Sequence, residues 1–366
     1  MGGGQFHEVI QFALQWPEPT EILNRIRRKY PHVEIRYFQL TSKIDYGEDT
    51  SLNEFPIELF KDATILVTFN TFPPSPSDAP NLKLVHVTSA GADLVLKSRV
   101  FQETNIPFTN SSGIHGPQIT EWFILTTLAQ SHHYNALYEQ QKKREWTLGF
   151  ATPSYGRAVR DLVGQKLGVL GYGSIGRQAA NVARAMGMTV IAYTATPKDT
   201  PEKKADHGFV VPGTGDKNGH IPSEWYSGLD KKSLHNFLAQ DIDILLIAVP
   251  LTEQTRHFLS TAEFDILSKK KAFISNIARG PIIDQPALVR ALNEGKLRGA
   301  ALDVTDPEPL PPTDPLWQAP NVTITPHVSG SSIAYVDRAI QVLEANLDNL
   351  MDGKPLINVI DRKKGY

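Results

Sequence analysis

The sequence predicts an α/β protein of two domains, each organised on a parallel sheet. Three observations carry that expectation. At 366 residues the chain is long for one hydrophobic core. Short apolar runs alternate with helix-compatible stretches along most of its length, the order that lays helices over a parallel sheet. The alternation occurs twice, on either side of a long helical pattern from Glu121 to Gln140 that bridges the two parts.

In the first part the strands are "VIQFAL", "VEIRYF", "ATILVTF" and "LKLVHVTS", with the helical "PTEILNRIRRKY" between the first two. "NTFPPSPSDAPN", Asn70 to Asn81, is proline-rich and is expected as a surface loop. In the second part "KLGVL", "TVIAY", "IDILLIAVP", "KAFISNI", "GAALDV" and "NVTITP" are apolar and mostly without alternation, as strands buried on both faces should be. Six such strands with a glycine turn after the first form a doubly wound sheet.

The final helix, Ile333 to about Met351, carries Ile333, Val336, Ile340, Leu343, Leu347 and Leu350 along one face. No sheet of the second part is left for it to cover, so it is expected to pack back on the first. The expected domains are therefore 1–120 plus 332–366, and 121–331. Within the second, residues 207–232 are dense in glycine and proline and long for a connection, which marks an insertion near 205–232. A surface excursion is the plain reading of it; a lid or a subunit contact is the sharper one.

Bulk composition narrows the function. Hydrophobic residues make up 41% and charged residues 21%, as in a folded, water-soluble chain. The formal charge is −2, from 37 basic and 39 acidic residues, so neither nucleic acid nor an anionic membrane is an expected partner; a small molecule is. The absence of cysteine excludes disulfides, thiolate catalysis and the usual zinc clusters, accords with a reducing compartment, and no metal is expected. "MGGGQFHEVIQFALQWPEP" lacks the basic start of a signal peptide and the serine or threonine of a myristoylation site. The longest apolar run, Ile244 to Leu251, is too short to span a bilayer, and a cytoplasmic protein is expected.

"LGVLGYGSIGRQAA" places Gly171, Gly173 and Gly176 as G-x-G-x-x-G between an apolar strand and a helix. The first glycine permits the tight turn, the second a close approach of backbone to a pyrophosphate, and the third close helix–strand packing. The phosphates then lie on a helix N-terminus, beside Tyr172, Ser174 and Ile175. A dinucleotide is the expected cofactor in this strand-turn-helix context. Eighteen residues past Gly176, near where an acid usually holds the adenosine ribose, stands Thr194. An aspartate there would repel a 2′-phosphate, whereas Thr194, Thr196 and Lys198 can accept one. NADP(H) is therefore the expected preference, with NAD(H) possible; a polar loop that does not discriminate is the plainer reading.

Three further strands end in polar residues on the edge where doubly wound sheets form their crevice. "FISNIARGPIID" presents Arg279, "ALDVTDPEPLPP" presents Glu308 and "NVTITPHVSG" presents His327. Reduction of a 2-keto acid needs a hydride, a proton for the developing alkoxide, and a clamp on the substrate carboxylate. A histidine beside a carboxylate can supply the proton near neutrality, and a planar arginine suits two-point binding of a carboxylate. Singly, each residue has a structural reading: a surface cation, part of a proline-rich loop, a satisfied histidine near a helix start.

Together "LGYGSIGRQAA", "NIARGPIIDQPALVRALNEGKLRGAALDVTDPEPLP" and "PLWQAPNVTITPHVSG" resemble the D-isomer-specific 2-hydroxyacid dehydrogenases, over about Thr64 to the end of the final helix. The resemblance implies a flavodoxin-like substrate domain, made from the N-terminal part and the last helix, with a Rossmann domain inserted in it. It implies the roles of clamp, tuning partner and acid/base for Arg279, Glu308 and His327. "VTSAGADLV" resembles the loop whose backbone holds the substrate carboxylate, which points to Ala90 and Gly91. Val249 and Pro250, Ile277 and Ala278, Asp303, and Gly330 of "HVSG" match segments of the cofactor site. A homodimer joined through the cofactor domains is also implied, and Trp146 is a candidate to reach a partner's substrate pocket.

"SSGIHGPQITEWFIL" departs from the family's commoner helix start, and the insertion lies outside the shared pattern. Glu308 argues against the formate dehydrogenases, which carry glutamine there, while "YTATPK" and "LDVTDPEPLP" look nearest the glyoxylate and hydroxypyruvate reductases. Transcriptional corepressors share the fold, so a dinucleotide-sensing interaction protein is the alternative from another class.

Overall fold

The computed structural model describes residues 8–41, 54–146 and 159–366. Met1 to His7, on which the reading of the N-terminus partly rests, lie outside the described residues. The chain divides into two compact units: Met1–Ile114 with His207–Val211 and Ser332–Tyr366, and His115–Asp206 with Pro212–Ser331.

The first unit runs β1 (Glu8–Leu14), α1 (Thr20–Lys29), β2 (Val33–Gln39), α2 (Glu58–Lys61), β3 (Ile65–Thr68), β4 (Leu84–Val87), α3 (Arg99–Glu103) and β5 (Phe108–Asn110). Its strands form a parallel sheet in the order β2-β1-β3-β4-β5. β3 and β4 are buried throughout, as unalternating apolar runs require. β5 is only three residues long, too short to leave a pattern in the sequence. The proline-rich loop holds a short 3-10 turn at Pro76–Asp78 and buries Phe72.

The last helix does return to this sheet. Its Ile340, Leu343 and Leu347 share a core with Ile10, Phe12, Ile65 and Val67, and Val336 packs against it. Arg25 and Lys29 of α1 fasten its outer side, through Glu344 (2.9 Å) and Asp348 (2.6 Å). The apolar stripe is shorter than expected at both ends. Ile333 is fully exposed because the helix begins at Tyr335, and Leu350 lies half in solvent.

The second unit runs α4 (Gly116–Ser131), α5 (Tyr134–Lys143), β6 (Lys166–Leu170), α6 (Ser174–Ala185), β7 (Thr189–Thr194), α7 (Pro201–Lys204), β8 (Glu224–Ser227), α8 (Lys231–Leu238), β9 (Ile244–Ile247), α9 (Thr261–Leu267), β10 (Phe273–Asn276), α10 (Gln285–Asn293), β11 (Gly299–Leu302) and β12 (Val322–Ile324). In the first unit the closing helix is α11 (Tyr335–Met351). The second sheet is parallel, in the order β12-β11-β10-β9-β6-β7-β8. The order reverses at β6, between β7 and β9, which is where a doubly wound sheet opens a crevice at the carboxyl ends of its strands.

Three sequence expectations change here. All six expected strands form, but a seventh, β8, lies inside the stretch read as an insertion. It is an edge strand with one neighbour, so "EWYS" carries no apolar run; Trp225 and Tyr226 alternate onto the two cores of the unit. The bridging helical pattern begins earlier, at Gly116, and breaks at His133, whose φ is 55°. The units therefore divide between Ile114 and His115, because Ile119, Trp122 and Phe123 of α4 pack into the second unit.

Residues 207–211 join the first unit. There Phe209 packs with Ile114, Ala339 and Val342. Its carbonyl oxygen lies 1.9 Å from where a Cβ on Gly113 would stand, and Gly113 has φ +102°, so only glycine fits.

Candidate active site

The glycine turn forms as its spacing implies. Gly171 has φ +104°, and a Cβ there would stand 2.5 Å from Ala248 O, against the end of β9. A Cβ on Gly176 would meet Gly171 O at 2.4 Å. Gly173 differs: among the described residues, no atom beyond its own chain neighbours lies within 4 Å of its Cβ position. Two glycines are thus demanded by packing, and the middle one opens a space over the first turn of α6. Ala179, Ala180 and Ala183 let that helix lie close on the sheet. The first-turn N–H groups, the macrodipole and the open middle glycine fit a bound pyrophosphate.

Around this turn, Ser174 and Ile175 are half-buried, while Tyr172 is buried and donates its hydroxyl to Asp216 Oδ2 at 2.8 Å. At the end of β7, Thr194 is half-buried and donates its hydroxyl to Thr196 O at 2.8 Å. Thr196 is exposed and Lys198 half-buried, while Lys203 pairs with Asp199 at 2.8 Å. Past β9, Val249 is half-buried and Pro250 exposed, its carbonyl accepting from Thr255 Oγ1 at 2.8 Å.

The loop after β10 is shaped by Asn276, which is buried. Its Oδ1 accepts from Ala278 N (3.0 Å) and its Nδ2 donates to Arg279 O (3.0 Å). Ile277 and Ala278 are thereby buried, and Arg279 emerges half-buried in extended backbone, with Nη1 donating to Ala278 O at 2.7 Å. Gly280 then touches the next loop. A Cβ there would lie 1.8 Å from Thr305 O, so the arginine loop and the glutamate loop can meet only over a glycine.

The loop after β11 is held on several sides. Asp306 N donates to Gln285 Oε1 (3.1 Å), Thr305 Oγ1 to Pro307 O (2.9 Å), and Thr305 N to Glu308 Oε1 (3.1 Å). The peptides Asp306–Pro307 and Glu308–Pro309 are both cis. Glu308 Oε2 lies 3.2 Å from His327 Nδ1, with both side chains 26% exposed. A carboxylate only accepts, so in this contact Nδ1 carries the proton.

Asp303, matched to the nicotinamide half of the site, has a further task. It is buried, and its carboxylate accepts from Thr325 Oγ1 (2.6 Å), Val328 N (2.9 Å), Ser329 N (2.9 Å) and Ser329 Oγ. Its carbonyl takes His327 N at 2.8 Å. These bonds hold His327 at φ +55°, a backbone conformation that needs such support. Gly330 follows, its carbonyl accepting from Gln118 Nε2 at 3.1 Å.

Ala90 and Gly91 belong to the first unit, after β4. Ala90 O accepts from Asn110 Nδ2 (2.9 Å) and Gly91 O from Ser89 Oγ (3.0 Å). Within the second unit, by contrast, Arg279, Glu308 and His327 all occupy loops at the carboxyl edge of one sheet. Sequence reasoning missed Asn276, Gln285 and Asp216, and the support that Asp303 gives to His327. Gln285 accepts from the distant Asp306 N and Asp216 from the distant Tyr172 hydroxyl, whereas Asn276, leading "NIARG", bonds within its own loop and carried a local signal.

The model of the D-isomer specific 2-hydroxyacid dehydrogenase NAD-binding domain matches residues 124–213 and 216–329. The chain belongs to that family. This dehydrogenase is 30% identical over 293 residues to the glyoxylate reductase of Aeropyrum pernix, covering 78% of each chain. Among solved structures, a family protein from Aeromonas salmonicida superposes with a TM-score of 0.72 at 27% identity, covering 97% of this chain and 99% of that one. The NADPH-dependent glyoxylate/hydroxypyruvate reductase of Sinorhizobium meliloti, solved with NADP and sulfate, gives 0.72 at 25% identity, covering 98% and 100%. The dehydrogenase is thus an oxidoreductase that takes a nicotinamide dinucleotide, and its glycine turn has the shape to hold one. Among the described residues, no helix is long and apolar enough to cross a membrane.

Proposed function

We propose that this dehydrogenase reduces small 2-keto acids, of the glyoxylate or hydroxypyruvate kind, to D-2-hydroxy acids, and prefers NADP(H) to NAD(H). The observation that carries the reading is the Glu308–His327 pair, 3.2 Å apart, on a loop edge shared with Arg279. The bound nicotinamide supplies the hydride. Everything else falls to the chain's own residues.

Arg279 binds the substrate carboxylate and polarises the neighbouring carbonyl, as a planar, permanently charged group can. The backbone N–H groups of Ala90 and Gly91, in the first unit, are suited to hold a carboxylate of the substrate. His327 Nε2 gives its proton to the oxygen that becomes the hydroxyl, while Glu308 on Nδ1 keeps the ring oriented. In the direction of oxidation the same nitrogen takes the proton back. The cofactor preference rests on Thr194: with no carboxylate at that place, nothing there repels a 2′-phosphate, and Thr196 and Lys198 follow to receive it.

The reading includes a homodimer joined through the cofactor-binding units, with Trp146, 95% exposed in the single chain, offered to the partner. Light scattering tests that part. The activity is tested by steady-state assays of glyoxylate, hydroxypyruvate and bulkier 2-keto acids, with NADPH and NADH side by side. Higher kcat/KM with NADH on every acid would remove the cofactor preference.

A further inference from the structure

The segment between α7 and β8 is fastened from behind to the glycine turn. Its neck closes through Asp206 N donating to Lys217 O at 2.8 Å. At its centre stands Asp216, a buried carboxylate. Asp216 Oδ2 accepts from Tyr172 Oη at 2.8 Å and from Ile221 N at 3.0 Å, and Oδ1 accepts from His220 N at 3.0 Å. Asp216 O accepts from Arg177 Nη1 at 2.6 Å, while Arg177 Nη2 donates to Lys204 O at 2.6 Å. Arg177 Nε lies 3.6 Å from Asp206 Oδ2. The Arg177 guanidinium lies over the Tyr172 ring at 5.0 Å, and that ring meets Trp225 edge-on at 4.9 Å. One residue on, Gln178 Oε1 accepts from Gly215 N at 2.6 Å.

The two anchored side chains bracket the phosphate cradle in sequence. Tyr172 lies between Gly171 and Gly173, and Arg177 directly follows Gly176. Both are only 4% exposed, so neither is a surface group that happens to find a partner. Burial first, and the bond to Asp216 second, hold the Tyr172 phenol far above its ordinary pKa, so it remains a donor. A buried cation, a buried carboxylate and a phenol are tolerated only when all are satisfied together, so the network has one arrangement. A glycine turn is otherwise easily deformed, and fixing it beforehand reduces what binding must order.

We propose that Asp216 is a positioning residue for the dinucleotide: by holding Tyr172 and Arg177 it sets the shape of the glycine turn, and so the affinity for NADPH. The segment read from sequence as a surface insertion is then the rear wall of the cofactor site. This inference rests on the reading of that turn as the dinucleotide site, and does not depend on the keto acid.

The test uses the full-length chain and NADPH alone. Binding is titrated by the change in NADPH fluorescence, and the melting temperature is recorded without ligand. Asp216→Ala should raise the Kd for NADPH about ten-fold, and Tyr172→Phe, which keeps the ring and removes only the donor, about three-fold. Asp216→Asn, which keeps the shape and one accepting oxygen, should recover part of the affinity. In the double variant Tyr172→Phe with Asp216→Ala, the Kd should match that of Asp216→Ala alone, because both act through one contact. A lower melting temperature with Kd unchanged in Tyr172→Phe and Asp216→Asn would overturn the proposal, leaving Asp216 a stabilising residue only. A wild-type chain that binds NADPH but reduces no keto acid would remove the functional reading and leave this one standing; one that binds no NADPH would overturn both.

Discussion

Glu308 Oε2 stands 3.2 Å from His327 Nδ1, and its other oxygen accepts from Thr305 N at 3.1 Å, so the carboxylate is oriented by its own loop before the histidine meets it. The pair joins two loops that follow different strands. Glu308→Gln keeps the size but can turn either its oxygen or its NH2 toward Nδ1, so the ring is no longer held in one orientation and kcat for reduction should fall about ten-fold or more. Steady-state rates, with the Kd for NADPH measured alongside, check it, and an unchanged kcat would take Glu308 out of its role beside His327.

Gly280→Ala tests how the loops are brought together. Its Cβ would lie 1.8 Å from Thr305 O, so the loop that carries Glu308 must shift. We expect a stability loss of about 1–3 kcal/mol, as for other overpacked sites, and at least a ten-fold fall in kcat. Thermal melting and steady-state rates read the two effects separately. Retention of kcat would mean that the contact does not position the glutamate.

Thr194→Asp addresses the cofactor. A carboxylate at the end of β7 would repel a 2′-phosphate and could bond a free 2′-hydroxyl. The ratio of kcat/KM with NADPH to that with NADH should fall by about ten-fold or more. An unchanged ratio would place the discriminating residue elsewhere.

His86 links the first unit's stability to pH. It is fully buried, with Nδ1 at 3.0 Å from Thr109 Oγ1 and Nε2 at 3.2 Å from Ala339 O, on the closing helix α11. Burial lowers its pKa from 6.5 to about 4, against a smaller opposing effect of the Ala339 carbonyl. The unfolded chain therefore takes up a proton at a higher pH than the folded one. Stability from this site is complete above about pH 6.5 and declines as pH falls toward 4, by on the order of 2 kcal/mol at pH 5. Urea unfolding at pH 7.5 and 5 should show the decline, and His86→Gln should show less of it. Equal slopes in the two proteins would mean that His86 does not carry the effect.

How far the sequence could be read follows from where each residue gets its instructions. The six central strands of the second sheet are apolar because both faces are covered, and that leaves a mark in the sequence. β8 is an edge strand that alternates Trp225 and Tyr226 between two cores, and four residues are too few to reveal it. The placement of Arg279, Glu308 and His327 after β10, β11 and β12 was legible because each follows an apolar run that ends in polar residues. Asp303 and Asp216 were not legible in these roles: their carboxylates serve Ser329 and Tyr172, partners that only the folded chain brings near. Ile333 and Leu350 show the opposite error, in which a helical period was extended past the part of the helix that meets the sheet.

The central claim is that His327 is the proton donor in the reduction of a small 2-keto acid. The most direct measurement is NADPH oxidation with glyoxylate or hydroxypyruvate by the wild type and His327→Ala in parallel, with the Kd for NADPH determined for both. The account predicts turnover by the wild type, a loss of about 10²–10⁴ in kcat for the variant, and Kd values within about two-fold. A wild type that oxidises no NADPH with either acid, or a variant that keeps its full rate, would contradict it.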